Sequence, residues 1–383
     1  MGLFVISYEE FILSFAGMKN LIFFTTFFLI FSCKSTKTPI DFAIKSSKPS
    51  ILSVKKNLKN HEIQIKLTVI DEGGNINYKF NVDNEDYFYP ASTVKLPIAL
   101  LAIEKVNESK YITLDTPFRV ENESKKYTLR DEILKMFVVS DNKSFNRIFE
   151  FLGQDYINGK LNTLGFDNTK IFHRLSTNSS ENLNTKKVFF FLDKDSISYQ
   201  SFNREIDPNQ LNGLKKGKKF YNDMNELVKK PMDFSKKNRL SIDDLHEMTT
   251  QVFFPENYIN KNSFQLNNKQ REFIWEAMSA SPSKLGLNRE NYPDNFVKFF
   301  VRGDEKKKDT IINYPKIYNK VGTAYGQLTE TAFIESDNNQ FILTATIYVN
   351  ENDIINDDIY EYESVGIPFF ASLGKEILSL LKN

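Results

Sequence analysis

What this chain has little of narrows it first. It contains one cysteine, Cys33, so no disulfide can form within it. It contains three histidines, His61, His173 and His246, at no metal-binding spacing. A zinc centre draws on several His or Cys ligands close together, and the sequence has no such pattern. A Ser-His-Asp triad would have to recruit one of these three, and none stands in a recognisable motif. Any serine chemistry here therefore needs another base. Excess charge of one sign is lacking too: 50 Lys and Arg against 49 Asp and Glu give a formal net charge of +1. No overall field draws the chain to nucleic acid, and short lysine runs such as 306–308 read as solvated loops. With 41% hydrophobic and 26% charged residues over 383 positions, the composition suits one large globular domain or two closely joined subdomains.

Long apolar runs are also scarce. Residues 21–31 (LIFFTTFFLIF) follow Met18-Lys19-Asn20 and end at Ser32-Cys33. A short positive segment, a hydrophobic stretch too short to span a bilayer and a small residue at its end describe an export signal. Ile30-Phe31-Ser32-Cys33 resembles a bacterial lipobox, in which the cysteine is lipidated and becomes the first residue of the mature chain. The expectation is a signal segment over 1–33, with Cys33 as the lipid anchor on the membrane of a bacterial cell envelope, facing the periplasm. An uncleaved anchor or a plain signal are the alternatives. Residues 1–17 lack the signal pattern, which makes Met18 a candidate start. Residues 34–60, rich in Ser, Lys, Thr and Pro, read as a tether.

Beyond the tether, residues 63–70 alternate apolar and polar side chains, 71–74 signal a turn and 76–80 return, which predicts a β-hairpin. The spacing then predicts helices over 92–106, 128–139 (Thr128 as its cap), about 145–152 (ended by Gly153), 241–254 (Ser241 as its cap) and 269–278. Residues 186–238, rich in Lys, Asn and Asp, have weak periodicity and read as a surface insertion. Strands follow at 317–321, 331–335 and 340–349, and a helix closes the chain over about 365–381. The order implies an α/β (α+β) fold. An antiparallel sheet is built from both chain ends and flanked by helices, with an all-helical subdomain inserted between.

Three short motifs carry chemistry. The first is Ser92-Thr93-Val94-Lys95, after the hairpin and at the head of an apolar helix. Residues three apart share a helix face, so Ser92 and Lys95 would stack at a terminus whose free N–H groups favour negative charge. A lysine serves as a base only when burial or a second cation keeps it neutral. Ser-x-x-Lys alone is a weak signal, because it occurs six times in this chain. The second motif is Ser140-Asp141-Asn142, which by itself reads equally as a helix-to-helix turn. The third is Lys320-Val321-Gly322-Thr323 at a strand end. Gly322 there allows a ligand close to the backbone, while Lys320 and Thr323 can bind a carboxylate.

In this order the three motifs resemble the serine β-lactamase and penicillin-binding protein superfamily, closest to class A β-lactamases, over roughly residues 61–383. The resemblance implies a β-lactamase/transpeptidase-like catalytic domain with Ser92 as nucleophile, Lys95 as a candidate base and Ser140 as proton relay. Asn142 would bind the substrate's side-chain amide. Lys320 and Thr323 would hold its carboxylate, and the N–H groups of Ser92 and Thr323 would form an oxyanion hole. It implies no metal and no cofactor, and a small-molecule β-lactam or a peptidoglycan peptide as partner.

Two departures from the pattern stand out. Val321 occupies the usual hydroxyl position, where a strand neighbour of Lys320 should face away from the site. In addition, counting along the loop that in class A enzymes bears a deacylating glutamate puts Ser176 or Ser180 there; Glu181, one residue off, is the candidate base for the deacylating water if the loop is re-registered. The expected function is hydrolysis of β-lactams through a Ser92 acyl-enzyme. The alternatives are a cell-wall D,D-peptidase that deacylates β-lactams slowly and a non-catalytic envelope binding protein.

Overall fold

The computed structural model describes residues 37–71, 73–177, 182–258, 262–305, 314–337 and 339–382. Cys33 and the signal segment lie outside the described residues, as does Glu181.

Five antiparallel strands form the main sheet, in the order Lys316–Ala324, Gln327–Glu335, Gln340–Tyr348, Gln64–Ile70, Ile76–Phe80. The chain ends thus share one sheet: Leu67 pairs with Leu343 of the last strand and with Tyr78 of the hairpin. The strands at 327–335 and 340–348 are buried along nearly their whole length. Both faces are covered, so their sequence runs apolar and threonine-rich without a clean polar alternation. On one face Ile65, Leu67, Val321, Leu343 and Ala345 pack with Phe370, Leu373 and Ile377 of the closing helix Ile367–Leu381.

The opposite face meets the helix Ile242–Phe253, whose N-cap Ser241 accepts a hydrogen bond from the Asp244 N–H. That contact is polar. His246 bridges Thr68 (Nε2 to Oγ1, 2.7 Å) and Thr344 (Nδ1 to Oγ1, 2.9 Å), and Thr249 meets Thr331 at 2.8 Å. Burial pushes the His246 pKa well down and keeps the ring neutral, which such a bridge between hydroxyls requires.

The helical half is built around Lys95–Asn107, whose Leu96, Ile98, Leu100, Leu101 and Ile103 are wholly buried. Around it stand Leu129–Val138, Asn142–Leu152, Gln154–Thr163 and Asn268–Ser279. Thr128 caps the first of these, and Gly153, at φ +78°, ends the second.

Three expectations need correction. The tether does not extend to residue 60. Pro39–Ile44 and Pro49–Lys55 are short helices whose Ile40, Ala43, Ile51 and Val54 are buried in the same cluster as the closing helix. The spacing of these few apolar residues among Ser and Lys was too sparse to register as a helix pattern, and tertiary burial supplies the stability. The segment 186–238 does not begin at the surface. Val188–Phe191 is a strand between Phe118–Val120 and Ser196–Tyr199, and Val188 and Phe190 join the main helical core. The inserted half therefore holds a small sheet among its helices. Finally, the serine segment is not α-helical from residue 92: Ala91–Val94 is a 3-10 turn, and the α-helix starts at Lys95.

Candidate active site

The tightening of the chain before Lys95 positions Ser92. Ala91 sits at φ +48°, a conformation that costs a non-glycine residue energy, and Thr93 Oγ1 donates to the Pro90 carbonyl at 2.6 Å. The turn leaves Ser92 half-buried at the mouth of the helix, one turn before a fully buried Lys95. Lys95 Nζ lies 2.8 Å from Ser92 Oγ. It also contacts Asn142 Oδ1 at 2.6 Å, Ser140 Oγ at 3.2 Å and the Ser140 carbonyl.

Those last partners come from the junction of two helices. Ser140 takes φ +55° after the helix Leu129–Val138. Asp141 caps the next helix, accepting from the Ser144 N–H at 2.6 Å. Asp141 thus serves the turn, while its neighbours Ser140 and Asn142 point their polar atoms at Lys95.

The third segment arrives from the sheet. Lys320, 1% exposed, donates to Ser140 Oγ at 3.0 Å and to the Val321 carbonyl at 2.8 Å. Val321 faces the other side, in the cluster beneath the closing helix. Gly322 lies against the serine turn. A Cβ built there would meet the Pro90 carbonyl oxygen at 2.6 Å and the backbone nitrogens of Ser92 and Thr93 at 2.8 and 2.9 Å. Only a residue without a side chain lets the strand approach so closely. Thr323 follows, exposed on the cleft.

Two buried lysines therefore share the Ser140 hydroxyl, and Lys95 alone also reaches Ser92 Oγ. Desolvation lowers the Lys95 pKa well below its ordinary value, and the nearby Lys320 lowers it further, against a smaller opposing pull from Asp141. Burial brings Lys320 down to about 7, with Glu330 opposing. A neutral Lys95 beside Ser92 can take up the hydroxyl proton, and a Lys320 that retains its proton can attract an anion.

A loop closes the other side. Arg174 forms a buried two-pronged pair with Glu150 (2.7 and 2.8 Å) and donates to the carbonyls of Asn182 (2.6 Å) and Asn184 (3.1 Å). Asn146 brackets the Leu175 backbone through both its amide atoms. So held, Ser176, at φ +49°, accepts from Asn142 Nδ2 at 2.9 Å. His173 is buried, with Nδ1 against the Arg174 carbonyl, in a packing position. These elements line a cleft of about 760 Å³ that includes Ser92, Asn142, Ser176, Thr323 and Tyr325.

With the geometry in place, comparison adds the lineage. Residues 52–378 match the family model described as the beta-lactamase enzyme family. The chain belongs to that family. Among solved structures, it is similar to the TLA-3 extended-spectrum beta-lactamase (14% identity, TM-score 0.53, covering 87% of this chain and 98% of that one). It is likewise similar to a class A beta-lactamase from Mycobacterium abscessus (12%, 0.54, 90% and 100%). A third likeness is to a mutant of PBP-A in an acyl-enzyme complex with penicillin G (14%, 0.53, 90% and 96%). At these identities the likeness establishes the fold. No curated protein matches the chain.

Within this beta-lactamase-family chain the structure brings together Ser92, Lys95, Ser140, Asn142, Lys320, Gly322 and Thr323. Sequence reasoning missed Glu150, the partner of Arg174. An acidic residue on a helix carries no local sign of a distant arginine. It also missed Asp223, Tyr325 and Asp358 on the cleft wall, which belong to no motif.

Proposed function

We propose that this chain is a serine hydrolase that acts through an acyl-enzyme on Ser92, with β-lactams as its acylating substrates. The observation that carries the reading is the convergence on Ser92 Oγ and Ser140 Oγ of two buried amines, Lys95 and Lys320, delivered by separate segments. Neutral Lys95 takes the Ser92 proton as Oγ attacks the amide carbonyl carbon. The N–H groups of Ser92 and Thr323 hold the resulting oxyanion. Collapse breaks the C–N bond, and the proton passes through Ser140 to the leaving nitrogen. Lys320 and Thr323 hold the substrate carboxylate, and Asn142 holds its side-chain amide. Water then hydrolyses the ester and frees Ser92.

One observation favours a second reading, a cell-wall D,D-peptidase-type enzyme that deacylates β-lactams slowly. Ser176 rather than a carboxylate meets Asn142, and a hydroxyl is a poor base for water. We further propose attachment to the bacterial envelope through lipid on Cys33, a reading supported by the apolar run that ends there.

Intact mass of the full chain mixed with benzylpenicillin, followed over time, tests these readings. A transient adduct on Ser92 with turnover supports the hydrolase, and a persistent adduct supports the peptidase. No adduct refutes both and leaves a binding protein.

A further inference from the structure

The wall of the cleft beyond Thr323 has a composition that the acylation chemistry does not use. It is made by a three-stranded sheet: Ile354–Ile355 pairs in parallel with Lys219–Tyr221, which pairs with Leu227–Val228. The segment 186–238 thus supplies part of the site. The sheet is fixed in place. The Lys218 N–H donates to the Asp353 carbonyl at 2.7 Å, Asn356 Nδ2 donates to the Tyr221 carbonyl at 3.0 Å, and Phe220 and Ile355 of the sheet join one apolar cluster with Tyr89, Phe234 and Tyr325.

Two tips of this wall face the cleft, and each presents a carboxylate that its own turn does not need. In the hairpin tip, Asn222 and Glu226 bond to one another at 3.0 Å, while Asp223 lines the cleft with no hydrogen bond or ion pair among the described residues. In the following loop, Asp357 accepts from Asn352 and from the Ile359 N–H, while Asp358 lines the cleft and is likewise unpaired. Both are exposed. The other charged groups on this lining, among the described residues, are already engaged. Arg174 is held by Glu150, and Lys237 has a partner of its own.

Tyrosines share this lining with the two aspartates. Tyr325 and Tyr360 line the cleft, and Asp223 and Asp358 respectively are close enough to act electrostatically on their hydroxyls. Tyr89 lines it too, edge-on to Tyr325 at 4.9 Å. Tyr89 is 6% exposed, and its hydroxyl has no hydrogen-bond partner among the described residues. A mostly buried tyrosine on a cleft lining can offer its hydroxyl to a ligand there.

Tyrosine faces and unpaired carboxylates together are the chemistry that recognises an ammonium group. We propose that this end of the cleft is a subsite for a protonated amine, and that the natural acyl donor is a peptide with a free side-chain ammonium. This rests on the acyl-enzyme reading above. The strand gives the direction. With the donor's carboxylate at Lys320, the scissile bond lies at Thr323 beside Ser92. The acyl portion then continues past Ala324 to Tyr325 and the two aspartates. The donor's charges, carboxylate at one end and ammonium at the other, match the lysine at the inner end and the aspartates at the outer.

The test uses the full chain and two ester donors, Nα-acetyl-lysyl-D-alanyl-D-lactate with its side-chain amine free or acetylated, with benzylpenicillin alongside. The second-order rate of Ser92 acylation is read from intact mass and lactate release. The free amine should acylate about tenfold faster than its acetylated twin, and the ratio should shrink as salt is raised, because exposed charges are screened. In the double variant Asp223→Asn, Asp358→Asn the ratio should fall to about one. Equal rates for the two donors in the wild-type chain, with benzylpenicillin still acylating Ser92, would overturn the subsite alone. No adduct with either donor or with benzylpenicillin would overturn the acyl-enzyme reading and the subsite with it.

Discussion

Replacing Gly322 by alanine is the most direct probe of how the sheet sets the geometry at Ser92. The new Cβ would stand 2.6 Å from the Pro90 carbonyl oxygen, so it must retreat by about 0.8 Å to reach ordinary contact at 3.4 Å. Its three nearest neighbours are all backbone atoms of the serine turn, so no flexible side chain can yield. Either the strand moves away from the serine turn, or the turn, already strained at Ala91, moves off the helix. Overpacking of this kind costs about 1–3 kcal/mol of stability. The same displacement separates Lys320 and Thr323 from Ser92, and a misplacement of about 1 Å can cost on the order of a hundredfold in rate. Two assays separate the effects. Thermal unfolding should show a loss of a few degrees, while acylation of Ser92 by benzylpenicillin should fall by far more than the residual folded fraction explains. A variant that melts and acylates like the parent would refute the idea that strand-to-turn contact fixes the site.

Further outcomes follow from the same structure. Lys320 has its pKa brought down to about 7, so it loses its charge as pH rises through that value. The apparent affinity for a substrate carboxylate should weaken above neutrality, and a flat half-saturation constant from about pH 6 to about pH 9 would contradict its role. Ser176→Glu places a carboxylate against Asn142 Nδ2, where a base for water belongs. The lifetime of the penicillin adduct should drop by about a hundredfold, as for a positioned general base. Pulse-chase mass spectrometry reads that lifetime directly, and an unchanged value would show that the loop cannot deliver water. Arg174→Ala leaves the Glu150 carboxylate buried without its partner and should cost about 3–5 kcal/mol in denaturant unfolding. Ile51→Ala, in a helix buried beside the closing helix, should cost about 2–5 kcal/mol if residues 39–55 belong to the core, and almost nothing if they are a tether.

The helices and the main sheet were largely legible in the sequence because their signals are local. Thr128 and Ser241 cap where their spacing places them, Gly153 ends its helix, and the strand Ile76–Phe80 has the bounds that the alternation predicts. The motif residues were legible too, since each carries its own chemistry in three or four letters. Residues 39–55 and 188–191 were misread for one reason: their burial is provided by partners far along the chain, and their own patterns are too short to announce it.

What the amino-acid order fixed alone was therefore the set of elements and the reactive groups each one carries. Tertiary structure decided which of those groups meet. A lysine pKa, the closeness of a strand to a turn and the pairing of Arg174 with Glu150 depend on desolvation and contact. Those arise only when segments separated by tens to hundreds of residues exclude water from one another. The cleft wall is the clearest case. Asp223 and Asp358 lie in ordinary polar turns along the chain and become neighbours of one cleft only because two strands of different segments pair in parallel.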